Sequence, residues 1–308
     1  MDLSIVIPVY NEENNVKILH QKIVDVCNRL GKSYEIIFVD DGSQDKTLEN
    51  LKRLNNLKII CLRKNCGQTA AMDAGFKEAK GSVIITMDGD LQNDPEDIPK
   101  LLDKLDEGYD VVSGWRFERK DPFMKRFISR GANFLRKFFV SDGIHDSGCS
   151  LKAYRKECFD SMDLYGEMHR FIPAILKWKG FKIAEVKVSH HPRHHGKTKY
   201  GWRRIVKGFV DMISVWFWRK YSNRPLHLFG GAGLLLSGLG FVVGVYLFIA
   251  RLFFGISLQN RIWPLVSVFM VLAGIQLFVS GILADIAVKN YYSKSKERSY
   301  LVKEIIKK

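Results

Sequence analysis

Cysteine is scarce in this chain: five among 308 residues, at Cys27, Cys61, Cys66, Cys149 and Cys158. The number is odd and no two stand as C-x-x-C. That argues against a disulfide framework or a thiolate zinc site and points to reduced thiols, mostly packed in a core. The N-terminal MDLSIVIPVY lacks a basic n-region, so no signal peptide is expected. Acid is sparse in the last third, where residues from Gly201 onward hold 15 Lys/Arg against 4 Asp/Glu, compared with 33 against 29 in residues 1–200. The positive excess therefore travels with the apolar part of the chain. It suits anionic lipid headgroups and speaks against nucleic acid as a partner.

Two stretches, Leu226 to Ala250 and Ile262 to Ala284, have no Asp, Glu, Lys or Arg at all. Each exceeds the roughly 20 residues needed to cross a bilayer. Arg219, Lys220 and Arg224 precede the first, and the tail from Lys289 carries 7 Lys/Arg against 2 acids. By the positive-inside rule both ends are expected in the cytoplasm, with the spans as a hairpin. Gly230, Gly231, Gly233, Gly238, Gly240 and Gly244 in the first span suggest close helix contacts, within the hairpin or between subunits of a homo-oligomer.

What precedes the spans alternates buried-type strands with helical patterns. Strands are expected at Leu3–Tyr10, Glu35–Val39, Lys58–Leu62, from Val83 and at Asp110–Gly114. A helix is expected up to about Leu30, from the helical spacing of Val16, Leu19, Ile23, Val26 and Leu30, and further helices over Thr47–Leu54 and from about Gly67 to Ala79. A helix around Met168–Lys179 and a strand Ile183–Val188 complete this part. The order β-α-β-α-β-α-β with short connections predicts a mostly parallel, Rossmann-like sheet with helices on both faces. Its polar clusters, Asn11–Glu12, Asp40–Asp41 and Asp88–Asp90, all fall at the carboxyl ends of strands, where open α/β sheets bind ligands.

The stretch Val83 to Asp97, VIITMDGDLQNDPED, carries the sharpest signal. An apolar strand ends in Asp88, Gly89, Asp90 and then Gln92. Two carboxylates one residue apart can face a single hard cation, Mg²⁺ or Mn²⁺, whose remaining positions go to water and phosphate oxygens. The alternative is an ordinary strand-to-helix turn with solvated acids. Asp94 as N-cap and Pro95 at the first helical position predict a helix directly afterwards.

Three basic segments follow. Arg116 to Lys137 holds 8 Lys/Arg and 2 acids. Its helical part, Pro122 to Phe139, reads either as an amphipathic helix packed on the sheet or as one at a membrane surface whose cations hold a lipid phosphate. His190 to Tyr200, HHPRHHGKTKY, reads as a phosphate-binding loop with Arg193, Lys197 and Lys199 as its cations. Trp202 to Tyr221 is a second amphipathic pattern, with Trp216 and Trp218 as interfacial anchors. Gly143 to Tyr154 reads as a compact polar loop around Asp146.

Together IVIPVYNE, VDDGS, MDGDLQNDPE and the GKTKYG loop, in this order, resemble family 2 inverting glycosyltransferases of the GT-A fold. The closer likeness is to the polyprenyl-phosphate branch: dolichol-phosphate mannose or glucose synthases, bactoprenol glucosyltransferases and aminoarabinose transferases. The likeness covers residues 1 to about 220. It implies transfer of one sugar from a UDP- or GDP-linked donor to a polyprenyl phosphate, with a divalent metal, Mg²⁺ or Mn²⁺. It also implies roles. Pro8, Tyr10, Asn11 and Glu12 would line the base and ribose pocket, with Asp40, Asp41 and Ser43. Asp88, Asp90 and Gln92 would hold the metal, and Arg193, Lys197 and Lys199 would cover the diphosphate. Arg116, Ser129 and Arg130 would grip the acceptor phosphate, and Asp146 would contact the sugar or a basic side chain near the acceptor. The catalytic set implied is Asp90, Arg116, Arg130 and Asp146. A departure stands at DSGCSLKAYR, where many relatives have an aromatic residue after the glycine.

A processive polysaccharide synthase would show Q-x-x-R-W, which this chain lacks. The expected organisation is a cytoplasmic GT-A domain over 1–201, a juxtamembrane amphipathic helix over 202–224, two spans within 225–288 and a basic cytoplasmic tail over 289–308.

Overall fold

Strands buried on both faces need apolar residues at odd and even positions alike, and β1 (Leu3–Val9) supplies them in the computed structural model of the chain. Residues 1–117, 144–160, 162, 164, 168–192, 217, 220, 221, 224–255, 257 and 262–294 are described. Both amphipathic helical patterns, apart from three residues of the second, lie outside them, as do Ser129, Arg130, Arg193, Lys197 and Lys199.

The first of two compact units, Met1–Val215, continues with α1 (Val16–Leu30), β2 (Tyr34–Asp40), α2 (Thr47–Lys52), β3 (Lys58–Cys61), α3 (Gln68–Glu78) and β4 (Val83–Thr86). Then come α4 (Ile98–Asp106), β5 (Val111–Arg116), β6 (Lys152–Arg155), α5 (Ile172–Trp178) and β7 (Ile183–Val188). The sheet order is β3-β2-β1-β4-β6-β5-β7. Leu3, Ile5, Ile7 and Val9 face one core with residues of α1 and α4, while Val6 faces the other with residues of α3 and α5. Gly75 lets α3 lie close on the sheet, because a Cβ there would run into Val6 Cγ1.

Three expectations need correction. The segment Gly143 to Tyr154 is not a loop throughout. Its end forms β6, antiparallel to both β4 and β5. The four residues KAYR show no long apolar run, and pairing with two buried neighbours decides their state. The helix after Asp94 opens as a 3₁₀ turn, Pro95–Asp97, before α4. Pro99 has no N–H to give to the carbonyl of Pro95, so the α-helical ladder cannot begin there. Pro173 likewise leaves Met168–Arg170 as a separate 3₁₀ turn before α5.

The second unit, Trp216–Lys308, contains α6 (Pro225–Phe254) and α7 (Trp263–Lys294). Both are long and apolar enough to cross a membrane. They pack on glycine: a Cβ on Gly233 would meet the carbonyl oxygen of Gly274 at 2.5 Å, and one on Gly240 that of Ser267 at 2.9 Å. Ser267 Oγ donates to the Gly240 carbonyl at 2.7 Å. Gly230 and Gly244 also face α7, whereas Gly231 and Gly238 meet nothing within 4 Å. Close contact within the hairpin thus accounts for four of the six glycines. Gly233→Leu is expected to destabilise the hairpin by about 1–3 kcal/mol, the scale of overpacking, and Gly231→Leu to leave it unchanged. SDS titration of the full chain in mixed micelles, followed by helicity, checks the difference.

Candidate active site

Six strand ends and one strand start meet at a single edge of the sheet. Parallel pairing puts the ends of β1, β2 and β4 side by side. The antiparallel β6 brings its first residue, Lys152, opposite Thr86 of β4 and Ser113 of β5.

After β1 and β2 the two turns lock together. Asn11, at φ 56°, donates its N–H to Ser43 Oγ at 3.0 Å and accepts the Gln44 N–H on Oδ1 at 2.8 Å. Glu12 N–H donates to Thr47 Oγ1 at 2.8 Å. Asp40 is buried and receives the Ser43 N–H at 3.3 Å. Pro8, Tyr10 and Glu12 are half-buried at the same edge. Asp41 has a different job from its neighbour: its two carboxylate oxygens receive the N–H groups of Cys66 (2.7 Å) and Gly67 (2.9 Å). That fixes the turn in which Gly67 takes φ +94° before α3 begins.

Beyond β4, Asp88 and Asp90 flank Gly89, where a Cβ would meet Val9 Cγ1 at 2.6 Å. Leu91 then takes φ 62°, a conformation that costs a branched side chain energy and is held by its surroundings. Asp90 is buried, and Asp88 and Gln92 are half-buried. Gln92 N–H donates to Asp90 Oδ1 at 3.2 Å. Burial, and then the nearby Asp90 carboxylate, push the Asp88 carboxyl above its usual range. Among the described residues no three His, Cys, Asp or Glu side chains converge as a metal cluster. The donor set is therefore two hard carboxylates with an amide nearby. Such a partial set fits Mg²⁺ or Mn²⁺ completed by phosphate and water, and does not fit a closed zinc site. A cation there would relieve the mutual repulsion of the two acids.

On the other side of the edge, Arg116 and Asp146 form a bidentate pair, Nε to Oδ2 at 2.6 Å and Nη2 to Oδ1 at 2.8 Å. Their side chains are only 13% and 15% exposed. Asp146 thus contacts a basic side chain, that of Arg116.

Sequence reasoning missed four residues. Gln68 Nε2 donates to Asp88 Oδ1 at 2.7 Å. Buried Asn93 uses one Oδ1 to accept from the Asp88 N–H at 3.4 Å and from Ser150 Oγ at 2.7 Å. Lys152 is buried beside these groups, donating to the Ser147 carbonyl at 3.3 Å. Its ammonium is pushed below the usual lysine range by burial, against the pull of Cys149, Asp146 and Asp88. Glu185 receives the N–H groups of His145 (2.8 Å) and Asp146 (3.2 Å). Gln68 was within reach of sequence: Asn65–Gln68 also follows a strand, β3. Lys152 was hidden with β6.

The start of the basic segment is seated on the turn after β4. His190 bridges Asn93 through the main chain, and His191 donates its N–H to the Gln92 carbonyl at 3.0 Å. His191 Nε2 lies 2.9 Å from Asp94 Oδ2. Of the expected site residues, Asp88, Asp90, Gln92, Arg116 and Asp146, with the β1 and β2 turns, are thereby gathered at one edge.

The model of the family described as "Glycosyl transferase family 2" matches residues 4–162. The chain is 39% identical over 314 residues to a dodecaprenyl-phosphate galacturonate synthase of Rhizobium johnstonii, covering 99% of this chain and 93% of that one. The chain belongs to glycosyl transferase family 2. It is a glycosyltransferase. An undecaprenyl-phosphate 4-deoxy-4-formamido-L-arabinose transferase of Pseudomonas aeruginosa is 33% identical, over 99% of this chain and 90% of its own length. Crystal structures of glucosyl-3-phosphoglycerate synthase from Mycobacterium tuberculosis share the GT-A fold. The phosphoglyceric acid complex has TM-score 0.55 at 17% identity, covering 71% of this chain and 79% of that one. The Mn²⁺ and UDP-glucose complex has TM-score 0.53 at 16% identity, covering 71% and 78%.

Removing one partner of an ion pair largely shielded from water leaves the other uncompensated. Asp146→Ala is expected to destabilise the catalytic unit by about 3–5 kcal/mol, read as a shift in urea unfolding of the full chain in detergent. A loss below about 1 kcal/mol, the scale of an exposed pair, would contradict the geometry.

Proposed function

We propose that this glycosyltransferase moves a single sugar, with inversion, from a nucleotide-diphosphate donor to a polyprenyl phosphate, producing a lipid-linked sugar for glycan assembly. The observation that carries this reading is the end-to-end similarity to two relatives that act on dodecaprenyl and undecaprenyl phosphate, a similarity that includes the two apolar helices. The donor is UDP- or GDP-linked. Its base and ribose lie at the turns after β1 and β2, near Pro8, Tyr10, Asn11, Glu12, Asp40 and Ser43, with Asp41 holding the neighbouring turn in place.

Asp88 and Asp90, with Gln92 close by, would hold Mg²⁺ or Mn²⁺, which when bound neutralises the leaving diphosphate and acts as its template. Arg193, Lys197 and Lys199 add positive charge on the same diphosphate as the sugar–phosphate bond breaks. Arg116, with Ser129 and Arg130, grips the acceptor phosphate. The Asp146 carboxylate clamps Nε and one Nη2 hydrogen of Arg116, so the guanidinium is oriented before any substrate arrives. A fixed donor fork spends less entropy on the in-line approach of phosphate to C1 than a free one would. A phosphate monoester has a second pKa of about 6, so the acceptor is already anionic at neutral pH and needs no strong general base.

The spans anchor the chain in the bilayer. The domain over 1–201, the juxtamembrane segment 202–224 and the tail 289–308 lie on the cytoplasmic side of the spans in 225–288. The positive charge flanking the spans supports this orientation.

Asp90→Ala is expected to lower transfer to a short polyprenyl phosphate by at least about 100-fold, the scale of losing one preorganised charge-stabilising group, without changing membrane insertion. EDTA should stop the parent enzyme and Mn²⁺ should restore it. Undiminished turnover in EDTA would refute the metal site.

A further inference from the structure

The side chain that bonds the Asp88 carboxylate is on another element. Gln68 opens α3 and reaches across to donate Nε2–H to Asp88 Oδ1 at 2.7 Å. Its own backbone is held from the nucleotide side. Asp41 receives the N–H groups of Cys66 and Gly67, the two residues before it, at 2.7 and 2.9 Å. Asp41 is in turn tied to β1 by its N–H on the Val9 carbonyl at 2.9 Å. A continuous path runs from β1 through Asp41 and the 66–67 turn to Gln68 and Asp88.

We propose that Gln68 is a positioning residue for the divalent cation, fixing Asp88 so that its second oxygen is presented to the metal. This rests on the reading of Asp88 and Asp90 as metal ligands. An uncharged amide suits the task for two reasons. It bonds the ionised carboxylate, which the cation requires, and it brings no positive charge to compete with the cation. A lysine at 68 would satisfy the same oxygen but repel the metal. A carboxylate held on one oxygen by an outer partner is the usual way metal ligands are oriented, and losing such a partner typically costs about 10–100-fold in metal affinity.

The test titrates Mn²⁺ against the full chain in detergent and follows free Mn²⁺ by electron paramagnetic resonance, with thermal unfolding and transfer rates alongside. Gln68→Met, unbranched and of similar length, is expected to bind Mn²⁺ about tenfold more weakly, with an unchanged unfolding midpoint. Its transfer rate at saturating Mn²⁺ should approach that of the parent. Gln68→Lys is expected to bind Mn²⁺ more weakly still. Parental Mn²⁺ affinity in Gln68→Met overturns the proposal. So does an equal loss in both variants that tracks an equal fall in the unfolding midpoint, since that pattern marks a residue that merely packs the turn. If the unsubstituted chain binds no Mn²⁺ and transfers sugar in EDTA, the metal reading itself fails and the role of Gln68 with it.

Discussion

Two carboxylates, Asp88 and Asp90, are held one residue apart at the edge of a sheet that is buried on both faces, and much of the catalytic unit serves to keep them there. Burial first, and then repulsion from the neighbouring like charge, push the Asp88 carboxyl upward, and that push is the cost of the arrangement. The turn that carries them resists relaxing because uncharged groups fix it. Gly89 sits hard against Val9, Leu91 adopts a left-handed backbone, and Gln68 and Asn93 bond Asp88 from outside. A site built this way would be prepared for the proposed cation before it arrives.

Asn93 shows how the halves of the edge are joined. One carboxamide oxygen serves both the Asp88 N–H and Ser150 Oγ, while its backbone bridges His190. The turn after β4, the segment that carries Asp146, and the entry to the basic segment therefore share one buried residue. Arg116 completes the arrangement from β5, clamped by an Asp146 whose own N–H is held by Glu185. The β6 strand makes this possible. Running against its neighbours, it starts where they end, so its preceding residues fall at the same edge.

How much of this was legible depended on what each residue answers to. β1, β2 and β4 were readable because burial on two faces leaves an unbroken apolar run, and the acids at their ends were readable because they stop it. The hairpin was readable from its missing charges. β6 was not, since KAYR is short and begins and ends in a cation, and only its buried neighbours make it a strand. The two 3₁₀ turns follow from Pro99 and Pro173, which sequence displays but whose effect depends on where the ladder would have begun. Asp41 and Asp40 look alike in VDDGS, yet one faces the turn at Cys66 and Gly67 and the other stays with Ser43. Side-chain direction of that kind is decided by the chain crossing above, which no local pattern carries. The same holds for Lys152, hidden with β6.

The most direct measurement of the central claim is a donor panel. Detergent-solubilised protein is incubated with Mn²⁺ or Mg²⁺, a short polyprenyl phosphate and a set of UDP- and GDP-sugars, uronic acid and amino sugar donors included, and the lipid fraction is weighed by mass spectrometry. The account predicts one glycolipid whose mass is that of the lipid phosphate plus a single sugar residue. Hydrolysis of a donor with no sugar on the lipid would leave the GT-A site standing and contradict the acceptor.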